Sequence, residues 1–210
     1  MIISGGRPHL FVALTITISL LVACASQPPD SDIVILDQST GLKIQAPINN
    51  FHVVGRNIFR GGQPEGEDQW AFLQRLGIKA VIKLNRRVGR VDTVQTERDF
   101  SKKYGIKVIE LFLPPEDFPN LNFLGEPKFE DIRSAMSVLG MEAESPIFVH
   151  CSHGSDRTGL IIAVYRVENQ NFCKQKAYSE MLKHGHNTLL LGIKKALFND
   201  QIKERRECEN

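Results

Sequence analysis

The sequence predicts an α/β fold, a single domain whose central, largely parallel sheet is flanked by helices. Short apolar runs rich in β-branched residues, such as Lys79 to Leu84 and Ile147 to Val149, alternate along the chain with segments whose apolar residues recur at helical spacing. At 210 residues, with 42% hydrophobic and 24% charged side chains, the chain is long enough for one well-buried core. An apolar strand also runs through a glycine-containing turn into an all-apolar helix, the place where open α/β sheets hold ligands. Lys and Arg total 26 against 24 Asp and Glu, so a net charge of +2 supports neither a polycation for nucleic acid nor an acidic disordered tail.

The first residues stand apart from that domain. Met1 to His9 carries one basic residue, Arg7, and Leu10 to Ala23 is an uninterrupted run of apolar and hydroxyl residues. That run has the length of an export signal and is short for a membrane span. Its end, Leu21-Val22-Ala23-Cys24, resembles the bacterial lipobox, in which cleavage before the cysteine is followed by lipidation of the new terminal Cys24. The resemblance implies a signal peptide over 1–23 and a protein lipid-anchored to the bacterial cell envelope, with its domain in the periplasm or outside. A plain signal peptide cut near Ala25 and an uncleaved anchor are the alternatives. Residues Ala25 to Ser31 form a polar, proline-containing tether.

The elements then follow in order. Ile33 to Leu36 is a first short strand, and 24–49 comprises the lipidated terminus, the tether and that strand. Phe51 to Val54, Gly55-Arg56-Asn57 and Ile58 to Arg60 are a strand, turn and strand. Trp70, Leu73 and Leu76 mark a helix stopped by Gly77; Lys79 to Leu84 is a strand, Thr96 to Tyr104 a polar helix and Lys107 to Leu113 a strand. Three prolines make Pro114 to Pro119 a loop. Pro127 opens a helix with Phe129, Ile132, Met136 and Leu139 on one face. Ile147 to Val149 is a buried strand, Leu160 to Val164 lies in a buried helix, and amphipathic helices span Lys174 to Lys183 and Leu189 to Phe198.

The segment that carries chemistry is His150-Cys151-Ser152-His153-Gly154-Ser155-Asp156-Arg157-Thr158-Gly159. A loop between a strand end and a helix start points successive backbone N–H groups inward at the positive end of the helix, which suits a tetrahedral dianion. Ser152, His153, Gly154, Ser155 and Asp156 line that cradle, and Gly154 and Gly159 permit its tight backbone. Arg157, six residues after Cys151, closes the ring with a planar fork of donors. The same amides and guanidinium favour the thiolate form of Cys151, a nucleophile at neutral pH. Thr158 is placed to donate its hydroxyl to that sulfur.

These residues resemble the His-Cys-x5-Arg-Ser/Thr signature of cysteine-dependent protein tyrosine and dual-specificity phosphatases, and every fixed position is met. Upstream, Phe51-His52-Val53, Phe59-Arg60-Gly61-Gly62-Gln63-Pro64 and Gly77-Ile78-Lys79 look like the opening of small bacterial, fungal and plant members of that group. The resemblance implies a dual-specificity-phosphatase-like domain over 50–203, followed by a charged tail at 204–210. It implies phosphomonoester hydrolysis through a phosphocysteine, and with it a general acid. Asp117, in the proline-rich loop 34 residues before Cys151, matches that position, with Glu116 as substitute. Asp156 resembles the Asp-Arg-Thr of myotubularins and bacterial lipid-active phosphatases and is the rival acid; its bland role is to pair with Arg157 or a nearby amide and fix the loop. The family pattern gives His150 an orienting role.

The substrate follows as phosphotyrosine or phosphoserine/threonine protein, with phosphoinositides or inositol phosphates as the alternative. A non-catalytic phosphate-binding pseudophosphatase and a thiol enzyme of another class, such as a sulfurtransferase, are the rivals. Arg60 is expected as an ion-pair partner, and Arg86 and Arg87 either line the phosphate cleft or sit in a solvated turn. His184 and His186 lack accompanying ligands of metal spacing, so no metal is expected, and without a nucleotide-binding motif no cofactor is either. With Cys24 lipidated, Cys151, Cys173 and Cys208 remain; a Cys173–Cys208 disulfide and three reduced thiols are both open.

Overall fold

The computed structural model describes residues 34–36, 43–55, 57–88, 91–114, 125–141 and 144–204. The elements are β1 (Val34–Leu36), β2 (Lys43–Gln45), β3 (His52–Gly55), β4 (Ile58–Gly61), α1 (Glu67–Arg75), β5 (Ala80–Lys83), β6 (Arg87–Val88), β7 (Val91–Asp92), α2 (Val94–Tyr104), β8 (Lys107–Glu110), α3 (Phe129–Leu139), β9 (Ile147–His150), α4 (Asp156–Gln170), α5 (Lys174–Lys183) and α6 (Leu191–Leu197). Five strands form the central sheet in the order β3-β4-β9-β5-β8. Only the β3–β4 hairpin is antiparallel; the β4–β9, β9–β5 and β5–β8 pairs are parallel, as the alternation of strands and helices predicts. Outside it, β1 pairs with β2 and β6 with β7 in two small ribbons.

The middle strands are apolar on both faces because helices cover both. Ile58, Ala80, Ile82, Ile147 and Val149 face a core shared with Ile132, Met136 and Leu139 of α3, Leu160 to Val164 of α4, Met181 of α5 and Ile193 and Leu197 of α6. The alternate positions Phe59, Val81 and Phe148 face a second, aromatic-rich core with Phe51, Trp70, Phe72, Leu73 and Ile106. The period of two is unbroken through both cores, which fixes the register of β9 between β4 and β5. Helix α2 stops at Gly105, whose φ of +65° closes its last turn in the left-handed conformation.

Several expected boundaries move by one to three residues, and the polar helix expected from Thr96 begins at Val94. The run Lys107 to Leu113 is strand only as far as Glu110, although the Leu111 and Leu113 amides still bond to the carbonyls of Lys83 and Leu84. The final helix begins at Leu191, because Leu189 and Leu190 belong to a turn held by the Asn187 side chain. No described helix is long and apolar enough to cross a membrane.

Candidate active site

Strand β9 ends at His150 in the middle of the sheet, and α4 begins at Asp156, so residues 151–155 arch over the strand's carboxyl end. Cys151 is a free thiol, 3% exposed, at the base of the arch, and Arg157, 8% exposed, lies in the first turn of α4. Thr158 is fully buried and its hydroxyl has no hydrogen-bond partner among the described residues, which leaves its proton available to sulfur or to a bound oxyanion. Ser155 caps α4 and accepts the Gly159 amide at 2.9 Å.

The upstream FRGGQP segment explains how this arch is held. Gly154 sits at φ +74°, and a Cβ there would lie 2.4 Å from the Gly61 carbonyl carbon and 2.6 Å from the Gly62 nitrogen. The two chain segments therefore meet backbone against backbone, an approach only glycine permits. Arg60, 1% exposed, reaches under the same turn and donates Nη2 to the Gly154 carbonyl at 2.6 Å. Arg60 was expected in an ion pair; among the described residues it makes none, and its task is to hold a loop carbonyl. Burial pulls its pKa down to about 10, which still leaves it charged at neutral pH. The Gln63 amide bonds to the Ser152 carbonyl at 3.2 Å, and Ser152 Oγ donates to the Arg87 carbonyl at 3.1 Å.

A second clasp comes from behind. Asn50 donates Nδ2 to the His153 carbonyl and to Ser155 Oγ, both at 3.4 Å, and to the His184 carbonyl at 3.0 Å. Asp156 Oδ1 accepts from His186 Nδ1 at 2.6 Å and from the Asn187 amide at 2.8 Å, tying the first turn of α4 to the loop after α5. His184 packs edge-on to His52, with ring centroids 4.2 Å apart. Burial, followed by the nearby Arg60 charge, lowers His52 to about 4 and His184 to about 3, so both rings are neutral at pH 7. The two histidines flanking Gly185 are thus used as loop fasteners.

Beneath the loop lies a buried polar network. Lys83 pairs with Glu97, and Glu97 Oε2 lies 3.1 Å from His150 Nε2. Lys83 also donates to Thr93 Oγ1 at 2.9 Å, and Gln63 Oε1 accepts from Asn85 at 2.7 Å. Burial on its own raises Glu97, yet the interactions with His150 and Lys83 together hold it below the usual carboxylate range. Sequence reasoning missed Lys83, Asn85 and Glu97. A signal existed for the first: a lysine inside a strand buried on both faces requires a charged partner. Glu97 on a polar helix carries no such mark.

The loop thus brings together a thiol at its base, an arginine in the first turn of the following helix and a buried hydroxyl, a combination suited to transfer of a phosphoryl group to sulfur. Of the remaining candidates, Arg86 is committed to an exposed ion pair with Asp92 at 3.0 Å. Arg87 is exposed, with its carbonyl at the loop's edge. Cys173 is disulfide-bonded, so the reading with three reduced thiols does not hold. Asp117, Glu116, Cys24 and Cys208 lie outside the described residues.

The sequence profile of the tyrosine phosphatase family matches residues 45–189. The chain belongs to this family. Within it, an inositol diphosphatase of Arabidopsis thaliana, DSP4, is 30% identical over 145 residues, covering 69% of this chain and 68% of that protein. The dual specificity protein phosphatase TpbA of Pseudomonas aeruginosa is 29% identical over 143 residues, 66% of this chain, and the match spans only 56% of TpbA. Among solved structures, the core catalytic domain of the PP-IP phosphatase SIW14 from S. cerevisiae superposes with a TM-score of 0.58 at 24% identity, covering 74% of this chain and 90% of that one. Crystalline TpbA superposes with a TM-score of 0.55 at 22% identity, covering 73% and 86%. At such identities the two superpositions establish the shared fold alone.

Proposed function

We propose that this family member is a metal-independent phosphomonoester hydrolase acting on phosphotyrosine or phosphoserine/threonine protein through a phosphocysteine. The observation that carries the reading is the buried free thiol of Cys151 at the base of a glycine-held loop, with Arg157 six residues on in the first turn of α4. Cys151 Sγ attacks phosphorus while Arg157 and the loop amides of 152–157 hold the equatorial oxygens. Asp117 protonates the leaving oxygen and then activates the water that releases phosphate from sulfur. Engagement of Asp156 Oδ1 by His186 and Asn187 favours Asp117 over Asp156 as this acid, and gives Asp156 the loop-fixing task.

A second substrate class, inositol phosphates, is favoured by the inositol diphosphatases among the relatives and by exposed Arg87 beside the loop. The export signal and lipidation at Cys24 complete the proposal: the enzyme works at the envelope surface, anchored by acyl chains rather than by a basic face. The test is phosphate release from phosphotyrosine peptide, phosphoserine peptide and inositol phosphates side by side, with reductant and a chelator. Activity abolished by Cys151→Ser is the expected result, and the ranking of substrates decides between protein and inositol. Turnover retained in Cys151→Ser overturns the mechanism, and silence on all three substrates favours a phosphate-binding module.

A further inference from the structure

The network beneath the loop has no part in the steps above. Lys83 on β5 and His150 on β9 are register partners across a parallel pair, on the sheet face that α2 covers, and Glu97 descends from α2 between them. Lys83 and His150 are fully buried and Glu97 is 1% exposed. One carboxylate oxygen faces the Lys83 ammonium and the other faces His150 Nε2 at 3.1 Å. The opposite ring nitrogen, Nδ1, lies 3.4 Å from the carbonyl oxygen of Cys151. The Phe148 ring stacks on the imidazole at 5.8 Å with an interplanar angle of 20°, so the ring has little freedom to turn.

Three ionisable groups are costly to bury, and a well-packed apolar trio would serve the fold as well. What this trio supplies is a directed ring. A carboxylate oxygen and a carbonyl oxygen both only accept, so each ring nitrogen faces an acceptor and the imidazole is held between Glu97, through Nε2, and the first peptide of the phosphate loop, through Nδ1. We propose that Glu97 is a positioning residue for the Cys151 thiolate, acting through His150, with Lys83 as the fixed counter-charge that keeps Glu97 ionised. This rests on Cys151 being the reactive nucleophile. Among the described residues, Arg60 from β4 and Asp156 and Arg157 from α4 also bring charge to this end of β9, and none of the three is altered in the variants below.

Two measurements test the assignment without using phosphatase turnover. In the wild-type protein labelled with 15N-histidine, the His150 Nε2 is expected to carry a slowly exchanging proton at neutral pH; an unprotonated Nε2 overturns the proposal. In Lys83→Met/Glu97→Gln, which removes both charges at similar volume, iodoacetamide alkylation of the Cys151 peptide, followed by mass spectrometry, reads the thiolate. Its pH curve is expected to move upward, with the rate at pH 6 about fivefold lower, while the thermal melt keeps its cooperativity. A wild-type alkylation curve in that variant overturns the proposal and leaves the trio a structural fastener. Should the double variant fail to fold, the Nε2 proton measurement decides by itself. A wild-type protein that shows the expected Nε2 proton and alkylation yet releases no phosphate would refute the proposed function and leave this inference standing.

Discussion

At the level of single residues, the loop depends on groups whose substitution admits no relaxation. Gly154→Ala places a methyl group 2.4 Å from the Gly61 carbonyl carbon in a backbone at φ +74°, so both the contact and the conformation oppose it. A loss of about 2 kcal/mol or more is expected in urea denaturation, together with loss of anion binding; a melt matching wild type would show that the two segments part more easily than their packing implies. Arg157→Lys keeps the charge but replaces a two-pronged donor with a point charge, and kcat on an aryl phosphate is expected to fall by about a hundredfold. Equal kcat in that variant would mean that charge alone suffices. Cys151, Arg157 and Thr158 were legible from the sequence because six-residue spacing at a strand-to-helix junction has few other uses. Glu97 was not, since nothing in a polar helix says which carboxylate points inward.

Between elements, α4 is the hub, buried along its length and packed against α3, α5 and α6. Arg166 secures it. Its guanidinium bonds to Glu180 of α5 at 2.9 Å and to the Val54 carbonyl of β3 at 2.8 Å, and stacks over Phe172 at 5.4 Å. Arg166→Ala strands the half-buried Glu180 carboxylate and the Val54 carbonyl, and is expected to cost about 2 kcal/mol in stability, read from the urea midpoint. A change within error would mean that solvent satisfies those groups. Periodicity located α3, α5 and α6, because each buries one face, whereas α4 was marked by a run apolar all round, as its burial on every side requires. It did not show β2 or the β6–β7 ribbon, whose two- and three-residue strands are too short to display alternation. Nor did it show that Leu189 and Leu190 precede α6, since the deciding contact is an Asn187 side chain folding back on its own turn.

For the molecule as a whole, the histidines behind the loop predict acid sensitivity. His52 and His184 have folded-state pKa values of about 4 and about 3 against 6.5 for an ordinary histidine. Between those values and pH 6.5 the unfolded chain binds more protons than the folded one, so stability rises with pH there. Their contribution is complete above pH 6.5 and erodes as the solution is acidified through that window. Glu97, held low, acts in the same direction but only below the ordinary carboxylate range. Urea melts at pH 7 and pH 5 are expected to show lower stability at pH 5, with a smaller difference in His52→Gln. Equal stability at the two pH values would mean that the rings stay solvated. That two distant histidines converge on one loop was not readable in advance, because their meeting is set by the return of α5 against β3.

The contact of Gly154 with Gly61 and Gly62 reaches beyond stability. Two signatures 92 and 93 residues apart in the chain share one van der Waals surface, so neither can drift alone. In a library randomised at all three positions and selected for turnover, survivors should carry glycine together at Gly61 and Gly154. The phosphate loop and the FRGGQP segment are then inherited as one unit, and a graft of either onto another member of the fold requires the other to travel with it.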